Sequence, residues 1–71
     1  MIMALSARNQ LKGTVVSIKE GAVTAYVVVD IGGGKLITSS VSIDAVNDLG
    51  LKVGSDVTSV IKSSSVLLMT K

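Results

Sequence analysis

Between Gly21 and Gly32 every odd position is apolar (Val23, Ala25, Val27, Val29 and Ile31), while the even positions include Thr24, Tyr26 and Asp30. A period of two is the signature of a strand that buries one face. Thr14 to Lys19 reads as a strand before it, joined by a tight Glu20-Gly21 turn. After Gly32-Gly33-Gly34 the alternation resumes over Lys35 to Val41, with Ile37, Ser39 and Val41 on one face and Thr38 and Ser40 on the other. These three strands form a meander. The period then changes: Ile43, Val46 and Leu49 lie three apart, Ser42 stands in the capping position and Gly50 follows, which predicts a helix of about two turns. A helix that short must pack on the sheet to persist. A Gly54-Ser55 turn leads into Val57 to Ile61, the polar Lys62-Ser63-Ser64-Ser65 interrupts, and Val66 to Met69 reads as a final apolar strand.

Five strands with one short helix between the third and fourth is the element order of an all-β, OB-fold-like five-stranded Greek-key barrel, and it fills a single domain over 1–71. Composition sharpens this. Twelve Val, six Ile and five Thr favour strand, and the single aromatic, Tyr26, leaves the core aliphatic. At 71 residues the chain is near the size, roughly 70–80 residues, below which a core rarely stabilises itself. It has no Cys and no His, so neither a disulfide nor a thiolate or imidazole metal site can help. Self-association remains. There is no apolar run long enough for a membrane span, and Met1 to Leu5 is too short for a signal peptide, so a cytoplasmic protein without a membrane partner is expected. The net charge of +2 is small for a dedicated nucleic-acid binder, even one built on a barrel, and aromatic stacking platforms are lacking.

Catalysis at neutral pH needs a group that exchanges a proton or attacks; without His or Cys, and with five scattered carboxylates, no enzyme is expected. Asp30, Asp44 and Asp48 read as caps or solvated surface. The triple glycine leads into a strand rather than a helix, which suits a hairpin turn better than a phosphate loop. Hydroxyls and amides concentrate at Ser6-Ala7-Arg8-Asn9-Gln10, at Ser39-Ser40 with Ser42, and at Lys62-Ser63-Ser64-Ser65. If they converged, they would form a donor-rich pocket with one ammonium, suited to a compact oxyanion. Asp44, in the helix's first turn, opposes that use.

The opening Ser6-Ala7-Arg8-Asn9-Gln10-Leu11-Lys12-Gly13, with Val15-Val16-Ser17 and Glu20-Gly21-Ala22-Val23, resembles the molbindin (Mop) family of small molybdate-binding proteins. Asp30-Ile31-Gly32-Gly33-Gly34, Ile37-Thr38-Ser39, Leu49-Gly50-Leu51-Lys52-Val53-Gly54 and Val60-Ile61-Lys62-Ser63-Ser64-Ser65-Val66 follow the same family in the same order. The resemblance runs from residue 5 to 69 and is strongest to the clostridial single-domain members. It implies a homohexamer, a trimer of dimers, that stores or buffers molybdate and tungstate at subunit interfaces, with no organic cofactor and no direct protein ligand to the metal. Carried over, Ser6, Ala7 and Arg8 form one wall of the site, Arg8 largely through its backbone N–H. Ser42, Ala45, Lys62 and Ser63 form the other, from a neighbouring subunit. Ser39, Ser40 and Ser64 are candidates for a second class of site near the symmetry axes.

The residue types suit the ligand. Molybdate is a fully deprotonated dianion that only accepts hydrogen bonds, so a site of donors leaves no lone pair facing an acceptor. Hydrogen phosphate carries a proton that such a site leaves unpaired, at about 1–3 kcal/mol. Sulfate differs mainly in size, and tungstate is nearly the size of molybdate. Two alternatives stand beside storage: an oxyanion-sensing module acting through a partner protein, and a binder of the pterin cofactor, for which Tyr26 alone provides little stacking surface.

Overall fold

The computed structural model describes residues 7–70. Its elements are β1 (Ala7–Glu20), β2 (Thr24–Gly32), β3 (Lys35–Ser42), α1 (Ile43–Leu49) and β4 (Asp56–Lys62), followed by a 3₁₀ turn at Ser63–Ser65. The four strands make one antiparallel sheet in the order β3-β2-β1-β4. The meander and the helix stand where the hydrophobic period puts them.

Strand β1 shapes the sheet. Its second half pairs with β2 from Thr14↔Asp30 to Glu20↔Ala25, and its first half pairs with β4 from Ala7↔Lys62 to Thr14↔Asp56. A bulge at Val16 lies between the Val15↔Val29 and Ser17↔Val28 pairs. The extra residue lets both Val15 and Ile18 reach the core, which strict alternation forbids. Gly13 sits where the strand changes partner: a Cβ there would lie 2.5 Å from the Asp30 carbonyl oxygen and 2.6 Å from Val29 Cγ1. Only glycine fits that approach.

The core is Val15, Ala25, Val27, Val29 and Val46, with Ile18, Ile31, Ile37, Val41, Ile43, Leu51 and Val57 packed around it. It is entirely aliphatic, as the composition requires. Helix α1 adds Val46 to it. Its start is fixed by Ser42 Oγ, which accepts the Ala45 N–H at 3.1 Å, and by the Ile43 N–H donating to the Val23 carbonyl at 2.9 Å. Gly50 closes it in the left-handed conformation. The triple glycine is the β2–β3 hairpin: Gly32 pairs with Lys35, and Gly33 and Gly34 make the turn at φ +63° and +75°.

Two expectations change. Strand β1 begins at Ala7 rather than Thr14, so the Ser-Ala-Arg-Asn-Gln segment is strand from Ala7 onward. Among the described residues the Val66 to Met69 segment pairs with no strand, and the sheet there has four strands with β3 and β4 as its edges. A strand exists through its ladder, and after the 3₁₀ turn these apolar residues have no ladder partner among the described residues.

Candidate functional site

Beyond Gly13 the first half of β1 has only β4 beside it, and the two make an arm reaching out of the sheet. The arm carries Arg8, Lys12 and Lys62, and no carboxylate stands between Ala7 and Gly13 or between Val57 and Ser65. A second bulge sits near its tip: Ala7 pairs with Lys62 and Asn9 with Ile61, leaving Arg8 as the extra residue outside the ladder. Such a bulge re-aims its residue and frees its backbone group. The Asn9 amide holds the bulge by donating from Nδ2 to the Ile61 carbonyl at 3.3 Å.

Lys62 ends β4 beside Ala7, and the 3₁₀ turn starts at the next residue, with the Val66 N–H donating to the Ser63 carbonyl at 3.2 Å. The side chains of Arg8, Lys62, Ser63, Ser64 and Ser65 are all exposed. The first N–H groups of a helical turn have no partner within it. Guanidinium, ammonium and hydroxyls therefore stand together at the arm tip, all of them able to donate.

Ser42 and Ala45 stand elsewhere. Ser42 pairs with Thr24, beside the Glu20 end of β1, whereas Lys62 pairs with its Ala7 end. About 40 Å of strand contour, at roughly 3.3 Å per residue, separates the two ends. The Ala45 N–H is already given to Ser42 Oγ, which leaves the Ser42 hydroxyl hydrogen as the donor there, with exposed Asp44 next to it. One chain thus groups Lys62 and Ser63 with Ala7 and Arg8, not with Ser42 and Ala45 as the family resemblance implied, because the β1–β4 register is antiparallel. Ser6 lies outside the described residues. Ser39 faces the inner side of the sheet, Ser40 the outer side, and Ser64 the arm tip, so these three do not meet within a chain.

Asn9 is the positioning residue that sequence reading missed, since nothing in a lone amide announces a bulge. Among the described residues no three His, Cys, Asp or Glu side chains gather where they could hold a metal ion, and no helix is long and apolar enough to cross a membrane.

The family model described as the TOBE domain matches residues 5–68. The chain is 54% identical over 67 residues to molybdenum-pterin-binding protein 3 of Clostridium pasteurianum, covering 94% of this chain and 98% of that one. A solved molybdate-binding protein from Sporomusa ovata superposes with a TM-score of 0.89 at 35% identity, covering 96% of this chain and all of that one. ModG, a cytoplasmic molybdate-binding protein solved with molybdate bound, superposes with a TM-score of 0.87 at 51% identity, over 92% of this chain and 46% of ModG. The chain is a TOBE domain of the OB-like type. Within that class it belongs to the Mop, or molybdenum-pterin-binding, family.

Proposed function

We propose that this protein binds molybdate, and tungstate with it, at sites completed between copies of the chain, and that it serves to store or buffer the oxyanion in the cytoplasm. The observation that carries the reading is the carboxylate-free arm tip, where bulged Arg8, Lys62 and Ser63 stand together. Ser42 is a strand length away. A neighbour's Ser42 hydroxyl, facing the arm tip, would finish the donor set, and Ser6 would extend the wall of Ala7 and Arg8. Ala45 contributes by holding Ser42 in place.

Hydrogen bonds to a charged group contribute about 1.5–3 kcal/mol each, so five or six support micromolar or tighter binding after association costs. The ligand is held as an oxyanion by donors, with no protein atom bonded to the metal. The single aromatic, Tyr26, lies on β2, away from the arm, which leaves a pterin ring no aromatic face to stack on there. Isothermal titration with molybdate, tungstate and phosphate, beside native mass spectrometry, tests the proposal. It expects heat for the first two, little for phosphate, and molybdate masses added to an oligomer. A chain that takes up neither dianion, or that binds them as a monomer, overturns it.

A further inference from the structure

The arm ends in an irregularity, and one side chain is tied into it. From Thr14↔Asp56 out to Gln10↔Val60 the arm pairs one residue with one, and Asn9↔Ile61 still keeps that count. Carried two steps further, the same register would set Arg8 opposite Lys62 and Ala7 opposite Ser63. The structure instead has Ala7 opposite Lys62, so β1 has taken in one residue more than β4. Such an insertion forfeits a step of the ladder, and a two-stranded ribbon has little else to hold it. The bulge therefore needs a cause.

We infer that Asn9 is a positioning residue for the oxyanion: its amide locks the bulged register of the arm tip, and that register sets the affinity. The inference rests on the molybdate reading of the arm tip. Asn9 Nδ2 donates to the Ile61 carbonyl at 3.3 Å, at the last regular pair before the bulge, where both residues are half-buried. The other side-chain hydrogen bonds among the described residues, to Asp30, Ser42 and Ser55, close within three positions along the chain, whereas this one joins positions 52 apart. It fastens β4 to β1 one step before Lys62. The closed register differs from the bulged one by a single residue, and a shift of one residue turns a strand's side chains to its other face. Closing the ladder would bring Arg8 back into it directly opposite Lys62, a like-charged pair that weakens strand pairing. With the bulge, Arg8 stays outside the ladder while Lys62 keeps its place beside Ala7. Repulsion between the two cations pushes the same way, but both side chains are exposed and salt screens them. At physiological ionic strength the amide decides.

Two variants of the full chain test this. Asn9→Leu keeps the shape and loses the donor; Asn9→Gln keeps the donor on a longer stem. Cross-strand proton contacts, measured by NMR without ligand in about 0.2 M salt, where exposed charges are screened, read the register. Titration with molybdate reads affinity, and thermal unfolding and native mass spectrometry follow the fold and the assembly. Ala7 is expected opposite Lys62 in the wild type and in Asn9→Gln, and Arg8 opposite Lys62 in Asn9→Leu. Molybdate binding is expected to weaken roughly 10-fold in Asn9→Leu, as losing an orienting group does around a bound metal, and to recover most of that in Asn9→Gln. The unfolding midpoint and oligomer mass hold throughout. An Asn9→Leu chain that keeps the bulge, or binds as the wild type does, overturns the inference. So does a loss of affinity matched by a falling midpoint or mass, the mark of a purely structural residue, and so does an Asn9→Gln chain that behaves like Asn9→Leu. A wild type that takes up no molybdate removes the functional reading and the effect on affinity together, while the register without ligand still decides whether Asn9 is the lock. Should Asn9→Leu fail to fold, Asn9→Asp, of the same shape and also without the amide donor, supplies the register.

Discussion

The two halves of β1 do different work. From Thr14 to Glu20 the strand pairs with β2, which β3 backs in turn, and Val15, 1% exposed, packs in the aliphatic core. From Ala7 to Gly13 it pairs with the edge strand β4 and carries Arg8, Asn9, Gln10 and Lys12. Burying a cation costs several kcal/mol unless it is paired, which accounts for Arg8 and Lys12 standing exposed on this half and not in the core. A two-stranded ribbon is marginal by itself, and the arm therefore depends on the body at Gly13 and on whatever it meets at its tip. Core packing and the proposed anion site thus draw on separate stretches of one strand.

Substitutions on either side of Gly13 test that separation. The largest effect is expected at the corner itself. Gly13→Ala forces a Cβ into the Asp30 backbone and lowers stability by about 3 kcal/mol, read by thermal or denaturant unfolding at fixed protein concentration. A variant as stable as wild type would show that the strand can shift there. On the arm, Lys62→Ala weakens molybdate binding by roughly 10- to 100-fold, the equivalent of one charge-assisted hydrogen bond, while the unfolding midpoint and oligomer mass hold. Unchanged affinity would remove Lys62 from the site.

At the body's end, Ser42→Ala costs about 1 kcal/mol through the lost cap. Ser42→Asp keeps the cap yet places a carboxylate where the dianion is received, so stability holds and titration shows binding fall. Binding that follows stability in both variants would make Ser42 a purely structural residue. The smallest effect is electrostatic: with +2 per chain, raising salt from 0.05 to about 0.5 M weakens molybdate binding by a few-fold and leaves unfolding nearly unchanged. Salt-independent affinity would mean that short-range donors alone decide it.

Much of the body is legible in the chain because its causes are local. The alternation of β2, the Ser42 and Gly50 caps and the glycine hairpin each depend on residues within a few positions of one another. The bulges at Arg8 and Val16 are not legible, since each exists only relative to a partner strand. Extending β1 back to Ala7 has the same origin: Arg-Asn-Gln has no strand pattern of its own and becomes strand through β4. The donors of the site are visible as residue types and in their family resemblance, but which of them stand together follows from the antiparallel register of β1 and β4.

The mostly-strand class, the meander, the placed helix, the aliphatic core and a set of donors without His or Cys chemistry all follow from the order of residues along the chain. Periodicity and side-chain type are properties of the chain alone. Folding in three dimensions set Arg8 on a bulge beside Lys62, put Ser42 at the other end of β1, and left the last apolar segment without a strand partner among the described residues. Strand pairing is a relation between distant segments, and its free energy depends on which edges are open when the chain has folded.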